Sequence, residues 1–213
     1  MKGTVFKREF VCDDIAVITI KLEEPLHFIP GQYVTITFLD VLKRRPFSIL
    51  AYDSNTLELK LCIEKRGVVT SRVFIENVPF DLDIGKPKGR FVLEDMASPN
   101  SVIFIAGGVG IVPCYNILFQ QKLSPKNLSL FYSAKTKERM PFREDCLSKE
   151  GLHFFERLTS HSTRFTFKDI VSKVSDIKSS YIFICGSPDF VRYFKEEAIH
   201  FGCEKSLIKT EVF

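Results

Sequence analysis

The chain changes its hydrophobic period part-way along. Up to about residue 95, apolar and polar positions alternate. Thr4–Val11, Ile15–Leu22 and Tyr33–Phe38 are β-branched or aromatic runs, separated by Cys12-Asp13-Asp14 and Pro30-Gly31-Gln32. Leu57–Ile63 puts Leu57, Leu59, Leu61 and Ile63 on one side and Glu58, Lys60 and Cys62 on the other. Short strands with turn signals between them predict an antiparallel sheet or barrel. A short helix is expected over Val69–Ile75 and a last strand over Arg90–Leu93.

Glu94–Ser101 is a polar connector containing Pro99, and after it the alternation stops. Val102–Ala106, Leu128–Tyr132, Leu152–Phe155 and Tyr181–Cys185 are compact apolar runs, as expected of strands buried on both faces. Val112–Leu123, Lys168–Val174 and Asp189–Phe201 read as helices. Strand–helix repetition of this kind predicts a parallel sheet covered on both sides. The expected fold class is two-domain: an antiparallel β-barrel over residues 1–97, followed by an α/β domain over 98–213.

Composition narrows the function classes. The 213 residues suit one large domain or two small ones, and 45% hydrophobic with 26% charged residues is ordinary globular usage. A net charge of +4 is too small and dispersed for nucleic-acid binding, and supports at most a surface attractive to acidic ligands. Cys12, Cys62, Cys114, Cys146, Cys185 and Cys203 are too far apart in sequence for a zinc or iron–sulfur cradle, so no metal is expected. With no secretory leader to read, free thiols in a reducing cytoplasm are the expectation. Val102–Phe119 is apolar enough to suggest a membrane span. Gly107, Gly108, Gly110 and Pro113 interrupt it, and it reads instead as strand, turn and helix.

Three short segments carry candidate chemistry. In Ile103 to Pro113 a buried strand runs into Gly107-Gly108-Val109-Gly110-Ile111 and a helix begins. Glycines let the backbone approach a ligand, and a helix N-terminus offers unpaired N–H groups to phosphate. Pro113 stands where the third glycine of G-x-G-x-x-G would be, so the turn also reads as a plain strand–helix junction. Arg45-Pro46-Phe47-Ser48 combines a phosphate-pairing guanidinium, a ring able to lie on a flat heterocycle and a hydroxyl donor. On a strand Arg45 and Phe47 share a face and Ser48 is opposite; the plain alternative is a core ring, a solvated charge and a gap-filling hydroxyl. Gly67-Val68-Val69-Thr70 opens a helix and either binds a phosphate or caps that helix.

Taken together, these residues resemble the ferredoxin–NADP reductase superfamily of flavoprotein oxidoreductases, in order along essentially the whole chain. Arg45 to Ser48 is similar to the family's R-x-[YF]-S, Gly67 to Thr70 to G-x-x-[ST], and Gly107 to Pro113 to G-G-x-G-[IL]-x-P. Cys185-Gly186-Ser187-Pro188 resembles C-G-x-P, and Glu211-Val212-Phe213 resembles the terminal E-x-[YF].

The resemblance implies a flavin in the barrel, NAD(P)H in the α/β domain and hydride passing between them. FAD is the implied flavin, with FMN or a transiently bound flavin as alternatives. Arg45, flanked by Pro46, and the Gly67-Val68-Val69-Thr70 turn would take its phosphates, with Ile49 beside Ser48 on the same strand. Phe47 would cover one face of the isoalloxazine and Phe213 the other, so that nicotinamide must displace Phe213. Ser48 would donate to the reactive flavin nitrogen, Cys185 would pack against the nicotinamide, and Glu211 would bond Ser48 or relay a proton. Gly107, Gly108, Gly110, Ile111, Pro113, Gly186 and Pro188 would hold the dinucleotide. Ser133, Lys135, Lys137 and Arg139 lie where the family reads the adenosine end. No acidic residue follows that strand at once, which favours NADPH over NADH.

The implied activity is an NAD(P)H-dependent flavoprotein reductase serving a separate acceptor, such as a ferredoxin- or flavodoxin-like carrier or an oxygenase component. A flavin reductase acting on free flavin, or a non-catalytic nucleotide-binding subunit, are the alternatives. Oligomeric state is not legible.

Overall fold

A computed structural model describes residues 1–41, 43–93, 101–121 and 127–213. The chain divides into two units, Met1–Val92 and Leu93–Phe213. The expected junction at 97/98 lies outside the described residues.

The first unit is a closed barrel. Its strands are β1 (Lys2–Cys12), β2 (Ile15–Leu22), β3 (Tyr33–Thr37), β4 (Arg45–Asp53), β5 (Glu58–Glu64) and β6 (Phe80–Ile84), in the spatial order β1-β2-β5-β4-β3-β6. All pairs are antiparallel. Alternate side chains fill the interior, among them Val5, Ile18, Ile20, Val34, Ile36, Ile49, Leu59, Leu61, Leu82 and Ile84. Helix α1 (Val68–Ile75) packs on this core through Val69 and Val73.

Three expectations fail in this part of the chain. No strand forms at Arg90–Leu93; Phe91, Val92 and Leu93 are buried without joining a ladder. The barrel is closed instead by β6, where Phe80, Leu82 and Ile84 alternate with Asp81 and Asp83 and pair with β1 and β3. Leu57 does not begin β5: it sits in the turn from β4 with φ +52°, in the left-handed region, and the ladder starts at Glu58. Cys62, expected on the polar face of β5, is only 5% exposed.

The second unit is a parallel sheet. Its strands are β7 (Ser101–Gly107), β8 (Asn127–Ala134), β9 (Leu152–Leu158), β10 (Tyr181–Gly186) and β11 (Ile208–Val212), in the order β11-β10-β7-β8-β9. The helices are α2 (Ile111–Gln120), α3 (Arg143–Ser148), α4 (Phe167–Val171) and α5 (Pro188–His200). Ile103, Ile105, Ile182 and Ile184 pack with Phe167 and Ile170 of α4 and Val191 and Phe194 of α5. The alternate residues, including Phe104 stacked on Phe183 at 5.2 Å, face the other way, and α2 packs on β7 and β10. Strand β9 departs from the expectation of burial on both faces: as the sheet's edge it is half exposed. Among the described residues no helix is long and apolar enough to cross a membrane.

Candidate functional site

In the barrel unit, Arg45 begins β4 and is exposed, with Pro46 exposed beside it. Phe47 is half-buried against the barrel core and Ser48 is 6% exposed. The register pairs Arg45 with Ile36, Phe47 with Val34 and Ser48 with Tyr33. Directly paired antiparallel residues share a face, so Arg45 and Phe47 lie on one side of the sheet and Ser48 on the other. Ile49 is fully buried in the core and its N–H donates to the Gln32 carbonyl at 3.0 Å, so its side chain lines no open surface. That bond ties β4 to the Ile29–Gln32 turn, in which Gly31 has φ +97° and the Gln32 Oε1 accepts from the Ile29 N–H. The motif strand is thus braced by a turn that sequence reading treated only as a separator.

The start of α1 is closed by Thr70. Its hydroxyl accepts from the N–H groups of Arg66 at 2.8 Å and Gly67 at 2.9 Å and donates to the Gly67 carbonyl. Gly67 is the N-cap, with extended backbone at φ −164°, and a β-carbon there would meet nothing within 4 Å. Neither conformation nor crowding within the chain requires a glycine at this position.

In the α/β unit the chain leaves β7 through a 3-10 turn, Gly108–Gly110, and enters α2 directly, with Pro113 in the first helical turn. Gly108 has φ +57° and open space beside its Cα. From β7 the chain moves on to β8, while β10 lies on the opposite side of β7. The glycine turn therefore stands at the carboxyl edge of the sheet where the strand order reverses, the place where open α/β sheets bind ligands.

Cys185 is the last residue but one of β10, in register with Ala106 of β7 and Glu211 of β11. Its thiol is fully buried, and burial pushes its pKa well above 9.0, with Cys114 and the Glu211 carboxylate adding to the rise. Cys114 of α2, also fully buried, is pushed up in the same way, by burial first and Glu211 second. Both thiols stay protonated. Gly186 follows, and the Phe213 N–H donates to its carbonyl at 3.3 Å, so Cys185, Gly186, Glu211, Phe213 and the Gly110 turn are brought together. Pro188 is the first residue of α5.

Sequence reading missed Phe190. A β-carbon on Gly107 would lie 3.3 Å from its Cε2, and one on Gly186 only 2.7 Å from its Cδ1. In sequence Phe190 is one more apolar position of an amphipathic helix, and nothing local distinguishes it.

At the far end of β8, Ser133 is 7% exposed and in register with Arg157 of β9. Lys135 and Lys137 are exposed and Arg139 half-buried. The Lys135 carbonyl accepts from the Ser160 N–H, which fixes the path of this loop. Among the described residues no three His, Cys, Asp or Glu side chains group to hold a metal ion.

No protein-family model matches the chain. It is 26% identical over 211 residues to flavohemoprotein A of Dictyostelium discoideum, covering 87% of this chain and 52% of that protein. It is 28% identical over 210 residues to sulfhydrogenase 2 subunit gamma of Pyrococcus furiosus, covering 85% of this chain and 70% of the relative. The chain thus spans about half the length of the first of these relatives. Its fold superposes on a ferredoxin NADP+ reductase from Neisseria gonorrhoeae with bound FAD and NADP at a TM-score of 0.86, with 15% identity and coverage of 100% and 98%.

Proposed function

We propose that this chain, whose fold and sequence relatives belong with the ferredoxin–NADP reductase-like flavoproteins, is an NAD(P)H-dependent flavoprotein reductase. It passes a hydride from NAD(P)H to a flavin and the electrons onward to a separate acceptor. The observation that carries this reading is the Gly107–Gly110 turn at the point where strand order reverses, with Cys185 on the neighbouring strand β10 and Glu211 in register with it on β11.

The residues present fit both groups. Gly67 is a glycine that the fold itself does not require, with open space at its Cα, as a close-approaching phosphate would require. The N-terminus of α1 offers the positive end of its dipole to a phosphate, and the exposed Arg45 would supply a guanidinium to a flavin phosphate. Phe47 keeps part of its ring outside the barrel core, where it would lie against a flavin held by that unit, and Phe213 is 37% exposed after β11 in the α/β unit. A bound flavin supplies the hydride acceptor and the two-electron to one-electron conversion.

The protein's own part is to hold and to exclude. In the barrel unit Ser48 would donate a hydrogen bond to a bound flavin, and in the α/β unit Glu211 would hold or move a proton. Cys185 serves as a compact apolar contact for the nicotinamide; its raised pKa excludes thiolate chemistry. Gly108, with open space at its Cα, leaves room for the pyrophosphate, Gly110 lets the turn close onto Cys185, and Ile111 and Pro113 fix the start of α2. Ser133, Lys135 and Arg139 take the adenosine end, and the basic loop favours NADPH. A relative that is one subunit of a larger enzyme supports a separate protein as electron acceptor. Six free cysteines suit a reducing, cytoplasmic location.

The test is direct. Purified protein should be yellow, and anaerobic NADPH should bleach it faster than NADH. A colourless preparation that bleaches added flavin would assign flavin as a substrate. One that neither binds flavin nor oxidises either nicotinamide would overturn the reading in favour of a non-catalytic subunit.

A further inference from the structure

The carboxyl ends of β7 and β10 both finish in glycine, and neither glycine is there for its backbone. Gly107 is extended at φ −119°, a conformation open to any residue. What both positions share is the ring of Phe190. A β-carbon at Gly107 would press on Cε2, Cδ2 and Cζ at 3.3 to 3.4 Å, and one at Gly186 would meet Cδ1 at 2.7 Å. Two adjacent strand ends have thus given up their side chains to admit one aromatic ring.

That ring is more than core filler. Phe194, one helical turn on and 2% exposed, backs it at a centroid distance of 4.7 Å, while Phe190 itself stays half-exposed. It is held from behind and from beneath, and its remaining surface is exposed over the carboxyl ends of β7 and β10, the two strands on one side of the reversal of strand order.

We propose that Phe190 is the apolar platform for the nicotinamide-riboside half of the dinucleotide, a binding residue of the α/β unit. This rests on the reductase reading, and it follows from strand order. With the pyrophosphate at the Gly107–Gly110 turn on β7, one half of the ligand crosses the end of β8 and the other the end of β10. Adjacent strands are about 4.8 Å apart, so each half meets the next strand end at once. The β8 side carries Ser133 and Lys135 and takes the adenosine. The β10 side carries Gly186 and, over it, Phe190. A flat ring or a sugar face on that platform gains the offset or edge contacts that aromatic side chains offer.

The experiment uses the full chain with flavin bound and the variants Phe190→Ala, Phe190→Leu and Phe190→Tyr. Single-turnover flavin reduction at varied NADPH gives the dinucleotide Kd, and 2′,5′-ADP as competitor reports the adenosine half alone. Phe190→Ala and Phe190→Leu should raise the NADPH Kd about 3- to 10-fold. Phe190→Tyr should restore wild-type affinity, and 2′,5′-ADP should inhibit all four proteins equally. Unchanged NADPH affinity in the Ala and Leu variants would overturn the proposal, as would an equal loss for NADPH and 2′,5′-ADP. Should Phe190→Ala not fold, Phe190→Leu decides, because it keeps an apolar contact on Gly107 and Gly186 without a ring. Failure of the wild-type protein to bind either NADPH or NADH would sink the reductase reading and this inference together; wild-type binding with insensitive variants sinks this inference alone.

Discussion

The α-carbon of Gly110 lies against the main chain of Cys185, so closely that a β-carbon on Gly110 would stand 2.3 Å from the Cys185 carbonyl oxygen and 2.6 Å from its carbonyl carbon. Both atoms are backbone, on a strand paired on each side, and have nowhere to go. The approach locks the 3-10 turn after β7 onto the end of β10, and with it the start of α2.

Gly110→Ala should therefore destabilise the α/β unit by about 2 kcal/mol or more, the scale of overpacking in a rigid core. Urea unfolding would measure it. A midpoint equal to that of the wild type would mean that the turn and β10 separate freely.

Gly67→Ala should behave in the opposite way. The backbone is extended and the added carbon meets nothing, so stability should stay within about 0.5 kcal/mol of the wild type. Flavin occupancy should nevertheless fall, because the methyl group enters the space assigned to phosphate. Full flavin content in a stable Gly67→Ala protein would show that the open space is not used.

Thr70→Val removes two accepted hydrogen bonds and one donated bond while keeping the shape of the side chain. A cost of about 1 kcal/mol is expected, typical of losing a helix N-cap interaction. Flavin binding should weaken as well, since the turn loses its brace. Denaturation and flavin titration of the same preparation separate the two effects.

The buried thiols set a limit in alkali. Burial first, then nearby carboxylates and thiols, pushes Cys62 up to about 12, with Glu64 the largest of these charges. Cys146 is also raised to about 12, and Cys114 and Cys185 stand well above 9.0. Below about pH 8.5 these thiols are protonated in both the folded and the unfolded chain. Above it the unfolded chain releases their protons and the folded chain does not, so stability falls as pH rises from about 8.5 toward 12. Urea midpoints should be lower at pH 10 than at pH 7.5, and the drop should be smaller in Cys62→Ala. Identical wild-type midpoints at the two pH values would contradict the burial of these groups.

Much of this architecture was legible before any coordinates. Hydrophobic period is a local property: alternation in Ile15–Leu22 and unbroken apolar runs in Val102–Ala106 and Tyr181–Cys185 placed a barrel ahead of a parallel sheet, and the glycine turn marked where β7 gives way to α2. The short, polar-interrupted strands were harder. Phe80–Ile84 alternates as cleanly as any, yet its role in closing the barrel depends on pairing with β1 and β3, far away in sequence. Phe91 to Leu93 looked like a strand because they are apolar, but burial needs no ladder. Leu152–Leu158 is half-exposed because it is last in the sheet, and strand order cannot be read from any single segment.

The candidate residues divide along the same line. Residue type and spacing alone determined which side chains could serve: a guanidinium at Arg45, glycines at Gly67 and Gly107–Gly110, a thiol at Cys185. Tertiary structure decided what surrounds them. Only packing shows that Gly110 is a glycine because of the Cys185 backbone, that Gly67 is one for no reason within the chain, and that Gly107 and Gly186 both make way for Phe190. The reason is physical. Period and composition follow from which atoms each residue carries, whereas close approach depends on which atoms from distant parts of the chain arrive at the same place.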